Sequence, residues 1–194
     1  ERCATFGESD AVMEGFTLQN GYATEGGGAY GGTLTNCTLT GNSAEFGGGA
    51  YNCCLEDCTL VGNTTLVASD GEDDEEGGGN ADGDGDGENI GRSGGGACYS
   101  DLTNCTLTGN SAEVGGGAYH SILTNCTVTR NSANYCGGVY DCELYNCIVW
   151  GNSAPGNANH VESSFMYSCT EPMPSAGDGN ISDDPRLVDA ANGD

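Results

Sequence analysis

The sequence contains no lysine, and its only permanently cationic side chains are Arg2, Arg92, Arg130 and Arg186. It has 29 acidic residues and a formal net charge of −25. Because a surface this acidic repels nucleic acid and anionic membranes, we exclude nucleic-acid binding. The same carboxylates should attract cations, and calcium in particular, since it prefers oxygen ligands.

Aromatic residues make up only 7% of the sequence, and no apolar run is long enough to span a bilayer. No segment has a 3.6-residue apolar period over ten residues, so we expect no substantial helix. Glycine is abundant, with 35 residues, but it has no strict triplet period. This glycine pattern excludes collagen, and a repeat argues against simple disorder.

A 21-residue unit recurs along the chain and determines the expected architecture. Its clearest marker is a cysteine column with steps of 21, 47, 21 and 21, formed by Cys37, Cys58, Cys105, Cys126 and Cys147. Phe16 lies 21 residues before Cys37 and occupies the same position. A fixed period in this range indicates a solenoid, in which each unit buries its apolar face against its neighbours.

Each unit contains three short extended pieces separated by turn residues. They are a Gly-Gly-Gly-Ala-Tyr piece, a piece centred on a leucine, and a Cys-Thr-Leu-Thr piece that alternates apolar and polar residues. Such alternation is typical of a strand with one buried face. We therefore predict an all-β fold, a right-handed parallel β-helix with turns of about 21 residues and three short strands per turn.

In-register turns place equivalent side chains in ladders about 4.8 Å apart. A position that accepts either Phe or Cys indicates a buried apolar slot, so we interpret the cysteine column as a row of core thiols. The remaining cysteines are candidates for disulfides of unassigned pairing: Cys3, Cys53, Cys54, Cys98, Cys136, Cys142 and Cys169. A second ladder, at a corner where asparagine tolerates left-handed backbone, should contain Asn42, Asn63, Asn110, Asn131 and Asn152.

We expect one β-helix domain over residues 1–194, with an acidic Gly/Asp-rich insertion at 64–93 and an irregular segment at 170–194. In the insertion Asp82, Asp84, Asp86 and Glu88 resemble the first half of a calcium loop, although position twelve is Ser93 rather than a bidentate glutamate. They are our candidate calcium ligands, and calcium is the only cofactor we consider. The alternative is a solvated acidic loop without a metal.

The repeat resembles a family of bacterial surface proteins. The units LTNCTLTGNSAEFGGGAY and LTNCTLTGNSAEVGGGAY are similar to polymorphic outer-membrane protein repeats, whose hallmarks fall here on Gly48-Gly49-Ala50-Tyr51 and Leu39-x-x-Asn42, with Leu in place of the family's Phe. The resemblance implies a right-handed parallel β-helix and an extracellular or cell-surface location. It implies little about activity, since these repeats mostly build stalks, adhesins and passenger domains.

The sequence favours a structural role. We expect a secreted or surface-attached protein that associates head to tail into a filament or stalk, because no capping helix is evident at either end. The alternative is an adhesin module that binds carbohydrate or another surface, with sugar rings stacking on an outward column of Tyr30, Tyr51, Tyr119 and Tyr140. If that column faces inward, it is core.

Two further functions are less favoured by the residues. A polysaccharide lyase or hydrolase needs a base or a carboxylate cluster, and without lysine we assign no catalytic residue and predict a non-enzyme. Thr-x-Thr ranks such as Thr38/Thr40, Thr106/Thr108 and Thr127/Thr129 resemble ice-binding arrays. However, threonine also simply favours exposed strand positions.

Overall fold

The computed structural model describes residues 1–7, 11–66 and 92–187. Every regular element in these residues is a β-strand of two or three residues. The strands form three seven-stranded sheets and one four-stranded sheet, called sheets A, B, C and D below. Within each sheet a strand pairs in parallel with the equivalent strand of the turn before and after it.

Sheet A consists of Ala4–Thr5, Ala29–Tyr30, Ala50–Tyr51, Ala97–Cys98, Ala118–Tyr119, Val139–Tyr140 and His160–Val161. Sheet B consists of Val12–Glu14, Thr33–Thr35, Cys54–Glu56, Asp101–Thr103, Ile122–Thr124, Glu143–Tyr145 and Ser164–Met166. Sheet C consists of Thr17–Gln19, Thr38–Thr40, Thr59–Val61, Thr106–Thr108, Thr127–Thr129, Ile148–Trp150 and Cys169–Thr170. Sheet D consists of Ser43–Ala44, Thr64–Thr65, Ser111–Ala112 and Ser132–Ala133.

The register follows the sequence repeat. Leu60 pairs with Leu39 on one side and with Leu107 on the other, so the 47-residue step is still a single turn of the stack. The three large sheets confirm a β-solenoid of about seven turns with three strands per turn. Sheet D was not predicted: it forms where the Ser-Ala pairs after the asparagine column stay extended and in register.

The stack continues further into the predicted insertion than the composition suggested. Thr64 pairs with both Ser43 and Ser111, and the amide of Leu66 donates to Ala44 O at 2.8 Å. After the insertion Ser93 forms a bridge with Val114. Both ends of the predicted 64–93 segment therefore belong to the β-helix, and residues 67–91 lie outside the described part of the chain.

The core is a narrow cylinder of aliphatic and thiol side chains. The leucine and cysteine columns are almost completely buried, and Cys37, Cys58, Cys105, Cys126 and Cys147 are 1–2% exposed. Each turn contacts the next through the thiols: the amide of Cys105, for example, donates to Cys126 Sγ at 3.4 Å. The predicted row of core thiols is therefore present, and all twelve cysteines of the chain are free.

Phe16 departs from this column. It is 58% exposed, because it belongs to the first turn and its position has a neighbour on one side only. The expectation of a buried apolar slot is therefore wrong for Phe16. Leu18, two residues later, is 7% exposed and belongs to the core.

The asparagine ladder is buried, and its amides connect the turns. Asn110 Nδ2 donates to Asn131 Oδ1 and to Leu60 O, both at 2.9 Å, and equivalent bonds recur from Asn42 to Asn152. Asn159 extends the ladder by accepting from Asn152. The ladder asparagines do not have the left-handed backbone that we expected for them. That conformation belongs to the preceding residues, as at Gly41 and Gly109.

Residues 171–187 cover the C-terminal end of the stack. Ile181 forms a bridge with Cys169, the amide of Tyr167 donates to Asp178 O at 2.8 Å, and Asn159 Nδ2 donates to Glu171 O at 2.7 Å. This segment satisfies edge groups that would otherwise be open, so the C-terminal end is capped without a helix. This corrects the expectation that both ends lack a cap.

Candidate functional site

One corner of the β-helix has residues that its backbone does not favour. Between sheets A and B each turn passes through a left-handed position, with φ of 48–53° in five turns. We call these residues the corner row; they are Asn52, Tyr99, His120, Asp141 and Glu162. A non-glycine residue costs roughly 1–2 kcal/mol in this conformation, and Asn, Asp and His are the residues that adopt it most often.

The other corners accommodate the same backbone conformation differently. Between sheets B and C the left-handed residues are mostly amides or carboxylates: Asn36, Asp57, Asn104, Asn125 and Asn146. After sheet C they are mostly glycines: Gly41, Gly62, Gly109 and Gly151. Tyr167 and Arg130 are the exceptions at these two corners. Local conformation therefore explains most residue types there, but it does not explain the Tyr and Glu of the corner row. Strained backbone of this kind tends to occur at functional sites, where a side chain is needed in that place.

A groove of about 540 Å³ runs along the corner row. Carboxylates line it from two columns, Asp141 and Glu162 in the corner row and Asp101 and Glu143 on sheet B. Asn52 lies at its N-terminal end, and Tyr99 lines it one turn further on. Because successive turns are about 4.8 Å apart, the row from Tyr99 to Glu162 extends over about 14 Å parallel to the axis.

Two polar contacts fix side chains of the row. His120 Nδ1 lies 2.9 Å from Asp141 Oδ2 in the next turn, and both side chains are nearly half exposed. Tyr140 donates its hydroxyl to Glu162 Oε2 at 2.8 Å. His120 therefore has a carboxylate partner in the next turn of the β-helix.

The floor of the groove is buried, and hydrogen bonds connect its turns. It is a column of small polar side chains, in which the amide of Cys53 donates to Ser100 Oγ and the amide of Ser100 to Ser121 Oγ, both at 3.1 Å. Cys142 continues this column, and burial raises the pKa of its thiol well above the ordinary value. A protonated, buried thiol is a poor nucleophile, so the floor supports the groove rather than supplying chemistry.

The groove offers hydrogen-bond acceptors, negative charge and one aromatic side chain on a fixed support, which suits binding. Asp101 and Glu143 occupy the same outward column two turns apart, about 9.6 Å between backbones. The two residues do not adjoin each other, because Ile122 lies between them in the column. The expectation that the protein is not an enzyme stays a prediction.

The tyrosine column lies outside the cylinder, on the outer side of sheet A, but it is not an open platform. Tyr119 and Tyr140 are 3% and 9% exposed and belong to a second apolar cluster, whereas Tyr30 and Tyr51 are half-buried. The rings stack on one another, with centroids 5.6 Å apart for Tyr30 and Tyr51 and 5.5 Å apart for Tyr119 and Tyr140. Since the ring faces contact each other, the arrangement favours a packing role for this column. Stacking on sugars stays a prediction, for which only Tyr30 and Tyr51 keep appreciable exposure.

The ring of Tyr99 fills the one gap in this column. Cys98 replaces tyrosine there, and the ring of Tyr99 lies 5.6 Å from that of Tyr51 and 5.9 Å from that of Tyr119. Its left-handed backbone turns the ring back toward the column. Tyr99 therefore connects the aromatic ladder to the corner row.

The candidate calcium ligands Asp82, Asp84, Asp86 and Glu88 lie outside the described residues. Within residues 1–7, 11–66 and 92–187, no group of three or more His, Cys, Asp or Glu side chains is arranged to hold a metal ion. In the same residues no helix has the length and apolar character needed to cross a bilayer.

The corner row was missed by sequence reasoning, although a signal was present. Tyr99, His120, Asp141 and Glu162 follow one another at steps of 21, which is the period of the repeat. Their residue types differ, so the column does not stand out as the cysteine column does. A column of identical residues indicates a structural role, whereas a binding site needs different side chains in different turns.

Two solved structures of trypsin-treated variants of QnrB1, a plasmid-mediated fluoroquinolone resistance protein, are similar to this chain. One match covers 92% of this chain and 72% of the other, with 10% sequence identity and a TM-score of 0.34. The second covers 85% and 90%, with 11% identity and a TM-score of 0.21. No protein-family model and no curated protein sequence matches the chain. At these values the similarity carries no argument about function.

Proposed function

We propose that this β-helix is a binding module of a secreted or cell-surface protein, and that its groove holds a segment of a polysaccharide. The β-helix is the rigid support, and the corner row supplies the contacts. The observation that carries the proposal is the corner row itself, in which four consecutive turns place Tyr, His, Asp and Glu beside one another on left-handed backbone, a conformation that Tyr and Glu rarely adopt.

A linear sugar chain fits the shape of this groove. The groove follows the solenoid axis, so successive sugar units would meet successive turns, about 4.8 Å apart. Exposed carboxylates accept hydrogen bonds from sugar hydroxyls, and bonds to a charged acceptor contribute about 1.5–3 kcal/mol each. The exposed part of Tyr99 adds an aromatic contact beside them.

Affinity measurements on a matched pair of variants test the proposal. Isothermal titration with a panel of soluble neutral and amino-sugar oligosaccharides should identify a ligand, and Asp141→Asn should weaken its affinity by about tenfold or more. Asp57→Asn is the control, since Asp57 is also an exposed carboxylate in the left-handed conformation, at the opposite corner. Absence of binding across the panel, or equal loss in both variants, would contradict the proposal.

The location of the protein is part of this proposal. The resemblance of its repeats to bacterial surface proteins supports a secreted or surface-attached module, and the charge of −25 suits a solvated exterior. Antibody labelling of intact cells of the source organism should detect the protein at the surface. Labelling only after the cells are permeabilised would contradict this location.

A second candidate function is end-to-end self-association, and the N-terminal edge favours it. Within the part of the chain that the structure describes, the first strands of sheets A, B and C each pair with one neighbour, and Val12, Phe16 and Tyr22 are 58–65% exposed at this end. An open strand edge with apolar side chains can pair with another chain. Because residues 171–187 cover the other end, head-to-tail stacking would also require that segment to move.

Cryo-electron microscopy combined with light scattering tests this association, first with calcium and then with chelator. Calcium bound at Asp82, Asp84, Asp86 and Glu88 would screen repulsion between acidic subunits. Phe16→Asp should dissociate assemblies, whereas Tyr145→Asp, which adds the same charge on an exposed part of sheet B, should not. Monomers of the wild-type protein in both conditions would exclude self-association.

A further inference from the structure

The outer face of sheet C carries no charge, although the protein as a whole is strongly acidic. Its outward side chains form two rows, called ranks below, that run parallel to the axis through the first six strands of the sheet. These side chains are exposed in the first strand and partly buried in the other five. The first rank is Thr17, Thr38, Thr59, Thr106, Thr127 and Ile148, and the second is Gln19, Thr40, Val61, Thr108, Thr129 and Trp150. On sheet B, by contrast, the outward positions include Glu14, Glu56, Asp101 and Glu143.

The two ranks form a regular lattice. Strand pairing in register sets neighbouring turns about 4.8 Å apart, and outward residues within a strand are about 6.6 Å apart. Five consecutive turns present threonine in the first rank. Where the second rank departs from threonine, Val61 keeps the same branched shape.

The threonine hydroxyls of this face are available to a partner. Among the described residues, none of the eight threonines in the two ranks uses its side chain in a hydrogen bond. Each hydroxyl can donate one bond and accept two, and each methyl group beside it orders the adjacent water. Each threonine position of the lattice therefore presents one hydroxyl and one methyl group.

We propose that this face of sheet C binds the surface of an ice crystal. A partner for an uncharged and periodic array should itself be uncharged and periodic, and ice repeats hydrogen-bonding groups across its whole surface. The two ranks together hold twelve residues, fewer than the roughly 20–30 residues per side of a standard protein interface. A second copy of this chain is therefore a poor occupant, whereas a crystal offers the same lattice at every point of contact.

This inference concerns a different face from the corner groove and is independent of the proposed function. The test compares three proteins for ice-growth inhibition and for partitioning into a slowly growing ice hemisphere. They are the wild type, Thr108→Lys in the centre of sheet C, and Thr103→Lys on the outward side of sheet B in the same turn. The wild type should inhibit growth and enter the ice, Thr108→Lys should lose about tenfold of this activity, and Thr103→Lys should keep it.

Several outcomes would overturn the proposal. They are a wild-type protein that leaves ice growth unchanged, equal activity of the two lysine variants, or retention on crystalline cellulose without entry into ice. A dimer that Thr108→Lys disrupts, without any effect on ice, would assign the face to a second copy instead. Circular dichroism checks that both variants fold, and Thr129→Lys, one turn away in the same rank, provides an independent variant if Thr108→Lys does not.

Discussion

At the scale of single residues, the ladder asparagines are the most tightly constrained polar side chains of the structure. Asn110 is completely buried and accepts from both the backbone amide and the side-chain amide of Asn63. Its own amide donates to Leu60 O and Asn131 Oδ1. A buried polar group is stable only when its hydrogen bonds are made, so every member depends on both neighbours.

We predict that Asn110→Ala lowers the free energy of unfolding by about 3 kcal/mol, because it leaves buried donors without an acceptor. Asn104→Gly is the control, since Asn104 belongs to an exposed asparagine ladder and glycine accepts its left-handed backbone. The control should cost less than about 1 kcal/mol. Urea unfolding followed by circular dichroism measures both. Equal destabilisation would show that burial of the ladder does not matter.

Buried thiols make stability depend on alkaline pH. Burial is the main cause that raises the pKa of Cys53, and likewise that of Cys136, from 9.0 to about 12. The folded state therefore holds these protons more tightly than the unfolded state. Their contribution to stability is complete below about pH 9 and is lost as the pH rises toward 12.

We predict that the free energy of unfolding falls between about pH 9 and pH 10.5, by about 1.4 kcal/mol per pH unit for each such thiol. Cys53→Ser should remove the contribution of one thiol, so that the free energy of unfolding falls by about 1.4 kcal/mol less per pH unit than in the wild type. Serine should fit there, because Ser100 and Ser121 occupy the same column. Urea titrations at several pH values measure the slope, and a flat profile would refute this linkage.

At the scale of elements, the glycine corner before sheet A requires close approach of the backbone. A Cβ atom at Gly116 would collide with the carbonyl oxygens of Ser132 and Gly137. Gly109 differs: its φ is 64°, but a Cβ there would meet nothing closer than 3.9 Å. One glycine is needed for space and the other only for conformation.

Gly116→Ala should therefore destabilise the protein by more than about 3 kcal/mol or prevent folding, since two strands would have to separate. Gly109→Ala should cost only about 1 kcal/mol, the penalty for left-handed backbone. Thermal unfolding of the two variants gives the comparison. Similar melting temperatures would mean that the corner can relax around a side chain.

At the scale of the whole molecule, the repeat predicted more of the fold than of the site. Stacked columns such as Leu39, Leu60 and Leu107 could be read from the 21-residue period, because the core demands the same residue type in every turn. The cap formed by residues 171–187 could not, since it is a single irregular segment that follows no period. Sheet D was missed because its Ser-Ala and Thr-Thr strands contain no large apolar side chain to mark a buried face.

The corner row could not be recognised from the period, because its residues differ from turn to turn. His120 and Asp141 are one period apart and lie 2.9 Å from each other at Nδ1 and Oδ2, but they differ in type. A structural column is recognised by identity, whereas a binding site combines different groups on a shared support. Position relative to the repeat, considered together with backbone conformation, was the information that the sequence alone did not make visible.

The central claim is that the groove along the corner row is a ligand site. The most direct measurement is a titration of the isotopically labelled protein with the best-binding oligosaccharide of the panel, followed by amide chemical shifts. If the groove binds the oligosaccharide, we expect changes in amide chemical shift to be concentrated in the turns that line it, at residues 99–101, 120–122, 141–143 and 162–164. No shifts at saturating ligand, or shifts confined to another face of the β-helix, would contradict it.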